Sequence, residues 1–129
     1  MEQLEAMKRW IVQFPGWGDT VLTVDTTDST PGSCGLFPKG RQEVSCREDV
    51  LGNRRRVWQE QFLLRRVACR GENAIGWILD FGRWADRAEP PAFGENTRLY
   101  AEKGRLAGAG PGDTAIYEVT ITVQYEKEN

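Results

Sequence analysis

Apolar residues recur with two different periods along this chain, and the periods mark out helices and strands. Leu4, Met7, Ile11 and Phe14 fall at i, i+3, i+7 and i+10, the spacing of one face of a helix over residues 2–14. Pro15-Gly16 ends it, and Trp10 and Trp17 flank the stop, where they are expected to clamp the helix end onto a sheet. A second, wider stripe (Ala74, Trp77, Ile78, Phe81, Trp84, Ala85) predicts a helix over 72–87. Asn73 or Glu72 is placed to cap its start, and Pro90-Pro91 forbids its continuation. Gly76 and Gly82 weaken this helix, and their small size suits close packing against a sheet.

The strand signals have period two. Residues 20–26 alternate enough for a strand. The turn-rich passage "TDSTPGSCGLFPKG" excludes a helix, and "CGLF" within it fits either a strand or a tucked segment. Residues 43–49 and 54–69 read as two strands joined through "VLGN", with Gly52-Asn53 as the turn pair. Residues 97–107 predict another strand, and "GAGPGD" a turn that lacks the Lys-Ser/Thr of a phosphate loop. The last segment is the most regular. Ala115, Tyr117, Val119, Ile121, Val123 and Tyr125 alternate with mostly polar residues, so one face is expected to be buried and one wet. Tyr117 to Tyr125 should then lie under the second helix. The order helix, strands, helix, strands gives one α+β domain over 1–129, a mostly antiparallel sheet with two helices packed on one face.

Charge changes the picture at one place. Six of the nineteen residues from Asn53 to Gly71 are arginine, on a segment otherwise built of strand formers. Val57, Gln59, Gln61, Leu63, Arg65 and Val67 share one face, and Trp58, Glu60, Phe62, Leu64, Arg66 and Ala68 the other. Neither face is cleanly polar, so the strand should be central in its middle and extend beyond the core at its ends, with arginine stems covering apolar surface. Arg54, Arg55 and Arg56 are expected on a hairpin arm that projects past the sheet. Together with Arg65, Arg66 and Arg70 they form a candidate protein–protein interface, because the guanidinium fork suits interface carboxylates.

The rest of the composition mostly excludes. Net charge is −2 and 40% of residues are hydrophobic, as in a soluble globular chain with no bulk attraction for nucleic acid. There is no histidine, which removes Ser-His and Cys-His nucleophilic sites and the commonest zinc ligand. Cys34, Cys46 and Cys69 are odd in number and lack CxxC spacing, which argues against a disulfide framework and against zinc. Arg47 beside Cys46 could lower a thiol pKa, but no base lies near in sequence. Asp25 and Asp28 have hydroxyl neighbours, and Glu48-Asp49 sits at a turn where acids bind their own backbone; the turn reading is the stronger in both cases. No catalytic, cofactor or metal residues are expected, and no secretion signal or membrane-spanning run is present.

The phrases "FPGW" after a first helix, "VDTTDSTPGSCGLFPKGRQEVSCREDVLGN", "WILDFGRW" and a terminal "YEVTITVQYEKE" together resemble one family. These are the small proteins of the head–tail module of long-tailed bacteriophages and prophages, the minor capsid or tail-terminator (tail-completion, head–tail joining) proteins. "GLFPKG" with "EDVLGN" is the most specific part, and the likeness runs over nearly the whole chain. The resemblance implies an α+β fold in this order and a homo-oligomeric ring, six-fold in that family. The ring ends tail-tube growth and docks the head connector. It implies the tail-tube and head-connector proteins as partners, no cofactor and no catalysis, and a place in the virion after assembly in the bacterial cytoplasm. Two other readings stand beside it. One is a connector lining the DNA channel with at most weak nucleic-acid contact, since tight binding would block ejection. The other is a generic adaptor with no phage role.

Overall fold

The structure, a computed structural model, describes residues 2–26, 30–69, 74–110 and 112–128. Two helices, α1 (Glu2–Ile11) and α2 (Ala74–Arg87), accompany six strands. The strands are β1 (Leu22–Val24), β2 (Cys34–Glu48), β3 (Arg54–Cys69), β4 (Glu95–Ala101), β5 (Arg105–Ala109) and β6 (Thr114–Glu128). The sheet order is β1-β2-β3-β6-β4, with β5 also paired to β6. Only β1 on β2 is parallel, so the molecule is α+β with a mostly antiparallel sheet.

Each helix is shorter than its periodicity. α1 stops at Ile11 because the chain tightens into three-residue turns: Gln13 N–H donates to Trp10 O and Phe14 N–H to Ile11 O, both at 3.1 Å. Pro15 disfavours a helical Phe14 in any case. Met7 and Ile11 are fully buried and Phe14 nearly so, as their spacing requires. The two tryptophans clamp α1 differently from the expectation. Trp10 packs on Trp84 (4.7 Å between ring centroids) and Phe81 (6.2 Å), and Trp17 on Trp77 (5.8 Å), so their ring contacts are with α2. Trp10 Nε1–H also donates to the Glu89 carbonyl at 2.8 Å, and Trp77 Nε1–H to Gly16 O at 2.9 Å. The proposed caps of α2, Glu72 and Asn73, lie outside the described residues.

The sheet departs from the expected strands in three places. β1 keeps only three residues, because Asp25 turns into the left-handed region (φ 61). β2 begins at Cys34, nine residues before the expected start at 43, and runs through Pro38. Proline is admissible there because β1 pairs β2 at Cys34, Gly35 and Leu36, and the edge beyond Leu36 has no strand partner among the described residues. Bulges at Pro38/Gly40 and Glu43/Ser45 bend that edge. The single strand expected at 97–107 is two, β4 and β5, interrupted at Glu102–Gly104.

Gly104 explains the interruption. A Cβ there would sit 2.3 Å from Ile78 Cγ2, so the backbone passes directly against α2. This is the kind of close approach expected of the helix glycines, and Gly82 does not make it. Around Gly82 a Cβ would meet nothing within 4 Å. Gly82→Ala should therefore stabilise the fold by about 0.5–1 kcal/mol through helix propensity. Thermal melting measures it, and an unchanged or lower Tm rejects it.

One hydrophobic cluster joins the elements. It takes in Met7, Trp10 and Ile11 from α1, Ile78, Phe81 and Ala85 from α2, and Leu36, Phe62 and Leu64 from β2 and β3. β6 contributes Val119, Ile121, Val123 and Tyr125, as its alternation indicated, while Tyr117 is partly buried at the margin. The other face of β6 is not simply wet. Thr122 is 1% exposed and the Glu118 side chain 8%, under long side chains from the neighbouring strands.

Candidate assembly interface

β2 and β3 form a ribbon paired from Cys34↔Arg66 to Glu48↔Arg54, with the register shifted at the two bulges. It does not stand free of the sheet as a two-stranded arm, because β6 runs beside β3 out to Arg55↔Glu128. Alternate residues of β3 face opposite ways, so its arginines serve two surfaces.

Most of them hold acids of the same chain. Arg55 Nη1 lies 2.5 Å from Glu95 Oε2 and 3.7 Å from Glu126 Oε2. Arg56 Nε is 3.8 Å from Glu43 Oε1 across the ribbon. Arg65, Glu118 and Arg105 form one cross-strand row over β3, β6 and β5. Arg65 Nε donates to Glu118 Oε2 at 3.2 Å, and Arg105 places Nη2 at 2.7 Å and Nε at 3.1 Å from Oε1. The Arg65 guanidinium also lies 5.5 Å from the Phe37 ring centroid. Two cations thus hold a largely buried carboxylate that would be costly to leave alone.

Arg66 works inward. Its guanidinium lies 4.1 Å from the Trp77 ring centroid, and Nη1 donates to Gly32 O at 3.2 Å. It ties β3 to α2 and to the loop before β2, and stands 3.9 Å from Cys34 Sγ. Burial pushes the Cys34 thiol up to about 11, against the pull of Arg66, so it is not a reactive thiol. Arg54 is exposed at the end of the ribbon, and Arg70 lies outside the described residues. Of the six candidate arginines, then, Arg55, Arg56, Arg65 and Arg66 are engaged within the chain.

Gly52-Asn53 does not make the turn alone. As expected of an acid at this position, Asp49 binds the turn's own backbone. Its Oδ1 accepts from Leu51 N–H and from Asn53 N–H, each at 2.9 Å, and Gly52 N–H donates to Asp49 O at 3.0 Å. Those bonds hold the Asp49 carboxyl below the usual range, the Asn53 amide contributing most. Gly52 takes φ 85, which favours glycine. The loop presents Val50 and Leu51 at relative exposures of 102% and 83%. Sequence reasoning passed over these two residues. The available signal was two aliphatics in a turn where polar residues are the rule.

Midway along the ribbon, Arg41 lies over Trp58 (4.5 Å from the ring centroid), and Glu60 Oε2 is buried without a hydrogen-bond partner among the described residues. Burial raises the Glu60 carboxyl, with Arg41 and Lys127 pulling it back. A carboxyl that holds its proton more tightly when folded stabilises at low pH, and that contribution is lost as pH rises through its folded value. Glu60→Gln is therefore expected to raise Tm at about pH 7, with the gain vanishing below about pH 4 where both side chains are neutral. Melts at the two pH values check this, and a lower Tm for the variant near neutrality contradicts it.

Among the described residues, no three Cys, Asp or Glu side chains gather into a metal-binding group, and no helix is long and apolar enough to cross a membrane. Asp28 lies outside those residues, so the Asp25–Asp28 pair has no described geometry. Cys46 is exposed on β2, opposite Arg56. No protein-family model matches the chain, and no curated protein matches it.

Proposed function

We propose that this chain is a structural assembly protein of a long-tailed phage or prophage, forming a ring that ends tail-tube growth and joins tail to head. The observation that carries the reading is where the two most specific phrases of the resemblance fall. "GLFPKG" makes the core-anchored, bulged start of β2, and "EDVLGN" makes the Asp49-organised tip of the same ribbon. Both phrases therefore serve one long ribbon with a rigid apolar end, a device for contact between proteins rather than for chemistry.

In this reading α1 and α2 lie together on one face of the sheet. The opposite face, carrying Phe37, Leu63, Arg65 and Glu118, is left for neighbouring subunits or the tail tube. The ring is a hexamer, and its partners are the tail-tube and head-connector proteins. The arginine pairings weigh against the DNA-lining alternative. Arg55, Arg56 and Arg65 already neutralise Glu95, Glu43 and Glu118, so these three are poorly placed to displace counterions from a phosphate backbone. Gene order and labelling test the proposal. Tail-tube and head-connector genes should neighbour this one, and antibodies to the chain should decorate the head-proximal end of isolated tails. Label confined to another protein or to no particle at all would reject it.

A further inference from the structure

Turns between strands are normally built of Gly, Asn, Asp and Ser, and adjacent exposed aliphatics at a turn signal a contact site. Val50 and Leu51 are such a pair, and the three hydrogen bonds around Asp49 fix them in place rather than leaving them to fold back. The same chain carries a receptor of matching character. A cavity of about 350 Å³ opens where the first turn of α1 meets the bulged part of β2, walled by Leu4, Pro38, Gly40 and Phe62, with Arg41 and Glu60 also in its lining.

We propose that the Val50–Leu51 tip of one copy docks in the Leu4–Pro38–Phe62 cavity of a second copy. The proposal rests on the reading of the chain as a self-assembling virion subunit and names the contact that assembly would use. A tip cannot fill its own cavity. At roughly 3.3 Å per residue, the ribbon separates the tip from the Pro38↔Phe62 pair by about 30 Å. Charges flanking the two surfaces complement one another. The last ladder pair beneath the tip sets Glu48 opposite Arg54, and the cavity offers Arg41 and Glu60, one group of each sign on either side. Strand addition along the ribbon is disfavoured by the two bulges and by Lys39, Arg41 and Glu43 on the free edge of β2, so the contact works through side chains at the tip. Glu48 and Asp49 beside the aliphatics disfavour insertion into a lipid surface. Tip and cavity are different patches, so the contact is head-to-tail and repeats into a ring where the rotation closes.

Sedimentation equilibrium over a concentration series, with circular dichroism to verify folding, tests the proposal on the full chain. Wild type should self-associate, and Leu51→Asp should associate at least about ten-fold more weakly while staying folded, since the tip has no role in the core. In a Cys46→Ser, Cys69→Ser background, Leu51→Cys mixed with Gln3→Cys under diamide should give the mixed disulfide, because Gln3 lines the cavity. Association of Leu51→Asp equal to wild type would overturn the docking contact and leave the tail-assembly reading standing. So would a disulfide formed only between two Leu51→Cys chains, wild type monomeric at every concentration, or wild-type binding to anionic vesicles that Leu51→Asp loses. Failure of gene order and labelling would instead remove the tail-assembly reading while leaving a measured tip–cavity contact intact.

Discussion

Val119→Asp is expected either to unfold the chain or to cost it several kcal/mol of stability. Val119 is 1% exposed and sits opposite Leu64 in the ladder between β6 and β3, within the cluster that also takes in Ile78 and Phe81. The aspartate would lose the apolar burial and bring a carboxylate into a site with no cation among those neighbours. A cost above about 4 kcal/mol belongs to this mechanism, against a total stability of roughly 5–15 kcal/mol for a domain of this size. Thr120→Asp, one residue on and facing the other way, is the control that separates burial from strand propensity. Far-ultraviolet circular dichroism and urea titration decide it. A Val119→Asp protein with the wild-type midpoint would reject the packing of β6 described here.

Gly104→Ala is the second large effect. The added methyl would lie 2.3 Å from Ile78 Cγ2, inside any real carbon–carbon contact, and Ile78 is fully buried and stiff at χ1. The clash can be relieved only by moving α2 or the link between β4 and β5, at a cost of about 2–3 kcal/mol. The diagnostic is the pair. Ile78→Ala alone opens a cavity and costs about 2–5 kcal/mol. In that background Gly104→Ala should cost nearly nothing, so the two changes together are less harmful than their sum. Urea midpoints for the four proteins give the coupling. Strict additivity would mean that Gly104 and Ile78 do not meet.

How much of this was legible in the sequence follows from the range of the forces involved. Alternation in β6 and the stripe of α2 are local patterns imposed by one buried face, and Val119, Ile121, Val123 and Phe81 lie where those patterns put them. The α+β class followed from the order of the segments. The long β2 was obscured because Pro38 and Gly40 read as turn residues, and only the free edge beyond Leu36 makes them admissible in a strand. The split between β4 and β5 depends on Ile78, which is distant in sequence from Gly104, so no local reading could supply it.

The arginines show the same limit. Their crowding on β3 was plain, but Glu95, Glu118 and Glu126 come from strands that pairing alone brings alongside. Read without that pairing, the charge looked outward. Read with it, Arg55, Arg56 and Arg65 hold the sheet's own acids, and Arg66 braces α2. Charge reversal across Arg54, Arg55 and Arg56 would therefore disturb the chain's own ion pairs as well as any partner. The exposed tip at Val50 and Leu51 is the cleaner place to probe assembly.

The proposed role is to end tail growth and to join tails to heads. Its most direct test is electron microscopy of particles made by the phage or prophage that carries it, with the gene inactivated and then restored in trans. Overlong tails, free tails and full heads without tails are expected in the null, with normal particles on complementation. Tails of wild-type length joined to heads in the null would contradict it.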